Sequence, residues 1–387
     1  MQKVSDIENA TNWTPVAVLP SVDVHTTKLT GPQIALIGAD DDRYKACIEA
    51  TTDLGTFLSA FTGSHGETVR PSLIATSSLY GEKPSSSAVA SFKDIVVASV
   101  SLDARVHAIL SGNVRGPFYS GSFDIYPWMI SDREDRIIAR TPALSSYHRL
   151  KGFRGLVSPA LPIHRIDDDQ VHGDLFAGLY CLWQRQYIRG EEDWEPRAIL
   201  RSLNMATAAM QLPITSVAET IYDWGRCISL WVSAFEILVH PGGNGRANQD
   251  KVLEMLWEIE WLRRAMRDAI HPIDFGGRRG VEQRTLPEFL YNRLYKLRND
   301  YLHGNPVEVS GFNMENGTSV LSYPAALYRM ALASKVPPQD PITYEDVFSK
   351  RRSAEEYGRY HRSTLFHNDC ERCLMRAIDP DAMKEGE

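Results

Sequence analysis

The segment YKLRNDYLHGN, at residues 295–305, contains polar side chains whose types suit chemistry at a phosphate. Arg298 carries a planar guanidinium that stays charged near neutral pH and can hold phosphate oxygens with paired hydrogen bonds. His303 follows after four intervening residues, and an imidazole takes up or releases a proton near neutral pH. Arg298 and His303 are therefore candidates for holding a phosphate and for moving a proton beside it.

The same two residues also have a purely structural interpretation. Cationic side chains are favourable in the last turn of a helix, where the helix dipole is negative. Five residues subtend about 140° on an α-helix, so Arg298 and His303 converge only if the helix ends or distorts between them. Gly304, directly after the histidine, is compatible with a helix end. The residue types alone leave both interpretations open.

The helix that positions these residues is predicted to begin at Thr285 and to end at Gly304. Thr285 and Glu288 form the pattern of a capping box, and Pro287 suits the first turn. Apolar residues recur along this helix at spacings of three and four, which predicts that one face packs against neighbours. Other helices are predicted at 174–188, 195–212, 216–239, 248–270 and 325–333.

The first part of the chain has a different pattern. Residues 1–165 mix short apolar runs with clusters of serine, glycine and proline, which indicates short strands with some helix. The runs at 33–38 and 123–130 favour strands, whereas the stretch from 94 onward fits a strand or a helix equally well. We therefore predict an α+β protein: a mixed α and β domain at 1–165 that senses a ligand or regulates, an all-α helical domain at 170–340, and a polar tail at 341–387.

Composition and charge limit the function. The chain has 387 residues, of which 43% are hydrophobic, so it can bury a sizeable core. A net charge of -7 argues against a protein that coats nucleic acid non-specifically. No apolar run reaches the roughly 20 residues of a membrane span, and the first residues lack the apolar stretch of a secretory signal. We therefore expect a cytoplasmic protein with no membrane partner.

One segment of this acidic protein is basic. Between 261 and 299, nine basic residues stand against four acidic ones, which would attract a polyanion locally. The basic residues are Arg263, Arg264, Arg267, Arg278, Arg279, Arg284, Arg293, Lys296 and Arg298. A charged solvent-facing helix surface is the alternative for any one of them.

The C-terminal segment HRSTLFHNDCERC contains residue types found in small zinc sites. His367, Cys370 and Cys373 are spaced closely enough to chelate, but a second Cys-x2-Cys pair is missing. We predict no metal site, with these three residues as weak candidates.

The stretch LYKLRNDYLHGN, together with SAFEILVH about 60 residues upstream, resembles the Apea-like branch of the HEPN superfamily. That superfamily is marked by an arginine, four to six intervening residues and a histidine, usually with a polar residue after the arginine. The resemblance covers about 170–340. It implies an all-helical domain that forms a homodimer around a cleft, and for many members a metal-independent endoribonuclease activity in toxin or defence systems.

The resemblance also implies roles for individual residues. Arg298, Asn299 and His303 would be catalytic. His303 acts on the ribose 2′-hydroxyl or the leaving oxygen, Arg298 stabilises transition-state charge, and Asn299 orients the histidine or the phosphate by hydrogen bonding. Glu236 would support Arg298 by pairing with it, although a purely structural carboxylate remains as an alternative. From the basic segment, Arg293 and Lys296 are the expected substrate-binding residues. No cofactor is expected, and RNA is the expected partner.

The favoured function is thus a HEPN ribonuclease that cleaves RNA by 2′-hydroxyl attack. One alternative is a catalytically inactive HEPN module that binds RNA, nucleotide or a protein partner. A second alternative is an interaction protein whose C-terminal tail is stabilised by zinc.

Overall fold

A computed structural model describes eleven stretches of the chain and divides it into two compact units. The described stretches are 12–63, 65–81, 84–112, 120–126, 128–130, 137–141, 144–147, 153–157, 163–211, 220–336 and 354–380. Unit 1 consists of Met1–Val100, Pro117–Phe176 and Tyr187–Arg189, and unit 2 consists of Ser101–Gly116, Ala177–Gln186 and Gly190–Glu387. The domain boundary near 165–170 stays a prediction, because these units interleave along the chain.

Unit 1 contains several small sheets. Its three-stranded antiparallel sheet has the order β1, β5, β3, with β1 at Trp13–Leu19, β5 at Ser72–Ser77 and β3 at Ile34–Ile37. Two parallel pairs join β2 (Val22–Val24) to β10 (His164–Ile166) and β4 (Phe61–Thr62) to β9 (Gly155–Leu156). A second antiparallel sheet contains β6 (Trp128–Ile130), β7 (Ile137–Thr141) and β8 (Leu144–Tyr147). The strand predicted at 33–38 is confirmed by β3.

Helices α1 (Asp42–Ala50) and α2 (Leu54–Ser59) pack against the sheet formed by β1, β5 and β3. An aromatic cluster belongs to the same core. Phe57, Phe61, Tyr126 and Phe153 contact one another, with ring centroids 4.6 to 6.3 Å apart. The strand predicted at 123–130 is confirmed over β6 only. The ambiguous stretch from 94 onward is helical, because it belongs to α3 (Ser86–Leu110). Val96, Val97 and Val100 are all buried, and a helix buried on all sides reads as a continuous apolar run.

Unit 2 is mainly helical. Helix α4 (Gly173–Tyr187) has residues in both units. The described helices that lie wholly in unit 2 are α5 (Trp194–Ala209), α6 (Ile221–Leu238), α7 (Gln249–Glu258), α8 (Arg264–Arg267), α9 (Leu286–Leu302), α10 (Pro324–Lys335) and α11 (Ala354–Ile378). The predicted helices at 174–188, 195–212 and 325–333 are confirmed by α4, α5 and α10. The start of the helix predicted at 216–239 lies outside the described residues, and α6 confirms the part that is described. In the described part, α6 begins with a capping box of Thr220 and Asp223.

The prediction of one continuous helix over 248–270 is wrong, because α7 ends at Glu258. The buried carboxylate of Glu371 accepts hydrogen bonds from the backbone N–H groups of Leu262 (2.5 Å) and Arg263 (2.9 Å). The Trp261 indole donates to the carbonyl of Leu256 at 2.9 Å and is itself buried. The two hydrogen bonds to Glu371, a distant part of the chain, satisfy the backbone at the break and outweigh the local helical pattern.

A two-stranded hairpin follows, which the sequence did not predict. Strand β11 (His271–Asp274) pairs antiparallel with β12 (Val281–Arg284), and glycines with positive φ values form the turn between them. With the helices of unit 2 and the small sheets, the predicted α+β class is confirmed. Among the described helices, none is both long enough and apolar enough to span a lipid bilayer.

Candidate functional site

Helices α6 and α9 position the predicted catalytic residues. Helix α9 begins with the predicted capping box, in which Thr285 and Glu288 bond each other's backbone, and it has the predicted early proline. Four of its five leucines are buried, and the ring of Tyr291 lies 5.3 Å from that of Phe235 on α6. Glu236, next to this phenylalanine, is thereby brought to the side of α9 that carries Arg298.

The guanidinium of Arg298 lies between an amide and a carboxylate. Its Nη1 donates a hydrogen bond of 2.9 Å to Oδ1 of Asn299, and its Nη2 lies 3.9 Å from Oε2 of Glu236. The Arg298 side chain is 26% exposed, so it is not closed off from solvent. The structure therefore brings together three of the four predicted residues and leaves the arginine accessible to a ligand.

The surroundings of this ion pair are apolar. Burial raises the pKa of the Glu236 carboxyl, and the nearby Arg298 charge offsets this only in part. The phenol of Tyr291 is fully buried, and no described residue hydrogen-bonds its Oη. Burial, followed by the charge of Glu236, raises the pKa of Tyr291 well above its usual value. Ion pairs in such surroundings are strengthened because water screens them poorly.

His303 has a different environment. It is the C-cap of α9, its backbone N–H donates to the carbonyl of Asn299 at 2.9 Å, and Gly304 has the predicted left-handed φ of 71°. Its imidazole is exposed, and no described residue contacts it through a hydrogen bond, ion pair or ring. The helix stays regular to Leu302, so the 140° separation from Arg298 persists within one chain. One copy of the chain does not place the imidazole against the guanidinium.

Asn299 and His303 instead extend a stripe along α9. Asn292, Lys296, Asn299 and His303 follow one another at intervals of four, three and four residues, which puts them on one face of the helix. Arg298 reaches this face only through its hydrogen bond to Asn299. Asn299 thus connects the arginine with the face that presents the histidine.

The predicted substrate-binding residues Arg293 and Lys296 line a cavity of about 610 Å³ in unit 2. Arg293 donates to the carbonyl of Gly311 at 2.7 Å, and Lys296 donates to the carbonyl of Asp274 at 2.9 Å. Neither cation forms an ion pair with a described carboxylate, so both keep their full positive charge toward the cavity.

The rest of the basic segment is largely neutralised. Arg279 pairs with Asp250 and Glu282, and Arg284 pairs with Glu282 and Glu288. Further pairs join Arg263 to Glu371, Arg264 to Asp268 and Arg298 to Glu236. The local basic character inferred from the sequence is therefore concentrated in the described cations that lack such partners: Arg267, Arg278, Arg293 and Lys296.

The weak zinc candidates lie on α11. His367 Nε2 is 3.0 Å from Glu371 Oε1, and the thiol of Cys373 faces the carbonyl of Ser322 at 3.7 Å. Burial raises the pKa of Cys373 to about 12 and that of Cys370 well above its usual value, so both thiols stay protonated. Within the described stretches, no three histidine, cysteine, aspartate or glutamate side chains are grouped as metal ligands. In the structure these residues contribute to packing between helices.

Unit 1 has a cavity of its own, of about 780 Å³. His25 on its wall lies 3.0 Å from Asp23 and 3.2 Å from Asp40. Arg43 stacks 5.0 Å from the centre of the Trp13 ring and pairs with Asp41 at 2.6 Å. The N-terminal region therefore has a polar cavity whose wall carries both positively and negatively charged side chains.

Sequence reasoning missed several residues near the predicted site. Asn292 sits four residues before Lys296, and this helical spacing was a usable signal. His271 and Phe289 line the same cavity, but His271 arrives through the unpredicted hairpin, so nothing local indicated it.

No family model, no curated protein and no solved structure matches this chain.

Proposed function

We propose that this chain is a metal-independent endoribonuclease of the HEPN type. The observation that carries the proposal is the arrangement at the end of α9, where Arg298 is held by Asn299 and Glu236 but stays partly exposed. The nearby His303 imidazole is exposed and has no described partner. A helix end stabilised only by its dipole needs no such support around an arginine.

The reaction uses the RNA's own nucleophile. The ribose 2′-hydroxyl loses its proton and its oxygen attacks the adjacent phosphorus, while the 5′-oxygen of the next nucleotide leaves and takes up a proton. The products are a 2′,3′-cyclic phosphate and a 5′-hydroxyl. His303 transfers one of these protons, and Arg298 stabilises the extra negative charge on the phosphorane-like transition state.

A second copy of the chain completes the site in this proposal. Arg298 and His303 point about 140° apart on one helix, so a phosphate held by one guanidinium is out of line with the imidazole of the same chain. A two-fold dimer with facing α9 ends places the His303 of each copy opposite the Arg298 of the other. The homodimer is thus part of the mechanism.

One observation favours the alternative of a binding module without catalysis. The Arg298 and His303 side chains do not contact each other in the described structure, and binding needs only the cations beside the cavity. In that case Arg293 and Lys296 would hold RNA or a nucleotide, and His303 would be a solvent-exposed helix cap.

Residues 1–165 would regulate this activity. The cavity of unit 1 supports a ligand-sensing role, because its wall combines an aromatic ring, a histidine and both signs of charge. Such a wall offers several different contacts to a small polar molecule.

The proposal is tested by the substitution Arg298→Lys, which keeps the charge and removes the fork of N–H donors. We expect kcat for RNA cleavage to fall by about 10²-fold with KM little changed, as for the loss of a transition-state donor. Arg201→Lys is the matched control, because Arg201 is exposed on α5 outside the basic segment, so this change should leave kcat unchanged. Equal cleavage by Arg298→Lys and wild type would contradict the proposal.

A further inference from the structure

The cavity that Arg293 and Lys296 line is built from four parts of unit 2. Helix α9 forms one wall, strand β11 forms another, the segment 313–316 closes a third side, and Ile378 of α11 contributes a single side chain. Its α9 wall is the face that continues to Asn299 and His303. Lys296 and His303 are seven residues apart, so the imidazole lies about 10 Å further along the helix axis. A polymer bound in the cavity is therefore within reach of the candidate active site.

Asn292 gives the cavity a buried polar group with an unused donor. The residue is only 5% exposed and lines the cavity. Its Oδ1 accepts a hydrogen bond of 2.7 Å from Nε2 of Gln249, which fixes the orientation of the amide. No described residue accepts a hydrogen bond from its Nδ2. Because Nδ2 is not among the fully buried polar atoms without a partner, it is open to the cavity and can donate to an acceptor on a ligand.

The cavity also has an aromatic wall. The rings of His271 and Phe289 lie 5.4 Å apart with an interplanar angle of 31°. Burial lowers the pKa of His271, so its ring is uncharged at neutral pH and offers an aromatic surface. Aromatic side chains of this kind are the surfaces on which nucleobases stack.

Charges of both signs surround these groups. Lys296 and Arg293 bond only neutral carbonyls, so their charge remains available for a phosphate. The carboxylates of Asp274 and Glu315 also line the cavity. Asp274 Oδ1 accepts from the N–H of Gly276 at 2.8 Å, whereas the exposed carboxylate of Glu315 has no described hydrogen-bond partner. A ligand that pairs with both the carboxylates and the cations of this cavity needs N–H donors as well as a phosphate.

A guanine nucleotide has this combination of groups. The O6 atom of guanine is an acceptor that suits the free donor of Asn292, and its amino group and ring N–H are donors that suit a carboxylate. Adenine has no acceptor at the equivalent exocyclic position, and pyrimidines offer less surface for stacking. The two unpaired cations suit the attached phosphate.

We propose that this cavity binds a guanine nucleotide of the RNA substrate, next to the phosphate that is cleaved. Phe289 and His271 stack the base, Asn292 and Glu315 recognise its edge, and Lys296 with Arg293 holds its phosphate. The inference rests on the proposed ribonuclease function for the identity of the substrate. The cavity itself is tested without any cleavage.

The test is calorimetric titration of the full-length protein with guanosine, adenosine and cytidine 5′-monophosphates and with inorganic phosphate. We expect the guanine nucleotide to bind at least about tenfold more tightly than the other three probes, as expected for one added hydrogen bond to a buried group. Lys296→Gln should weaken this binding by about tenfold or more, because it removes a charged partner. Arg201→Gln, which changes an exposed cation on α5 outside the cavity and outside the basic segment, is the matched control and should leave binding unchanged.

Two further variants separate recognition from folding. Asn292→Leu should abolish the guanine preference, with retained helicity measured by circular dichroism. Glu315→Gln changes an exposed residue, so it should fold normally and reduce the preference for guanine over adenine. Equal affinity for all nucleotides, affinity no greater than for inorganic phosphate, or guanine binding unaffected by Lys296→Gln and Glu315→Gln would overturn the inference.

The same preparations distinguish this inference from the proposed function. RNA cleavage without guanine nucleotide binding would keep the ribonuclease and overturn the cavity assignment. Guanine nucleotide binding without RNA cleavage would keep the cavity and count against the ribonuclease.

Discussion

Arg298 is positioned by one hydrogen bond and by one longer ion-pair contact. The hydrogen bond to Asn299 is 2.9 Å, while the 3.9 Å to Glu236 is longer than a hydrogen bond. A guanidinium has five N–H groups, so this arrangement leaves donors for a phosphate. Its Nε is buried and has no described hydrogen-bond partner.

Ionisation of Glu236 makes the folded protein less stable as pH rises, and a substitution at this position reveals the effect. Burial raises its pKa in the folded protein, so the folded state binds this proton more tightly than the unfolded chain does. The stability that this group contributes is present below its unfolded pKa and is lost as pH rises through its folded pKa. Glu236→Gln removes the ionisation, so the variant should gain melting temperature relative to wild type as pH rises from about 4.5 to about 7.5.

The measurement is a thermal melt of both proteins across that pH range. Glu254→Gln, an exposed carboxylate on α7, should show no such trend relative to wild type. A difference between Glu236→Gln and wild type that is flat with pH would show that burial does not govern this carboxylate.

Helices with strong end signals could be predicted from the sequence. Helix α9 begins at its capping box and ends before Gly304, and α10 follows its apolar pattern. The break after Glu258 could not be predicted, because the carboxylate that stabilises it is more than 100 residues away on α11. The hairpin at 271–284 was not predicted either.

The candidate site was predictable to a similar extent. Arg298, Asn299 and Glu236 were found from the residue types and the resemblance, and the structure brings them together. The placement of His303 on another face follows from helical geometry, which the sequence already indicated. The cavity wall supplied by His271 depends on a tertiary contact that no local pattern records.

The interruption between α7 and α8 should depend on Glu371. Glu371→Gln leaves a single acceptor oxygen for two backbone N–H groups, so a buried donor loses its partner. We expect the free energy of unfolding to fall by about 1–3 kcal/mol. Urea denaturation measures this difference, with the exposed Glu258→Gln as the control. An unchanged free energy of unfolding would mean that the break is stabilised by other contacts.

The proposed cleavage mechanism requires two copies of the whole molecule. Each α9 end presents a supported arginine on one side and a histidine on another, and a two-fold axis makes the two sides complementary. Unit 1, with its own core and cavity, is then available for regulation in each copy.

Mixed dimers test this arrangement. Arg298→Ala and His303→Ala should each be inactive alone, because each lacks one group at both sites. After subunit exchange, half of the dimers should be mixed, and each of these should have one intact site, which restores about a quarter of wild-type activity. Sedimentation analysis verifies the dimer. No restoration after verified exchange would show that each site draws both groups from one chain.

The central claim is tested most directly by incubating purified wild type and His303→Ala with mixed RNA in EDTA and identifying the new ends. The account predicts that wild type cleaves, that His303→Ala does not, and that the products carry 2′,3′-cyclic phosphate and 5′-hydroxyl ends. His65→Ala, which removes an exposed histidine of unit 1, should cleave like wild type. Equal cleavage by wild type and His303→Ala, or products with other ends, would contradict the account.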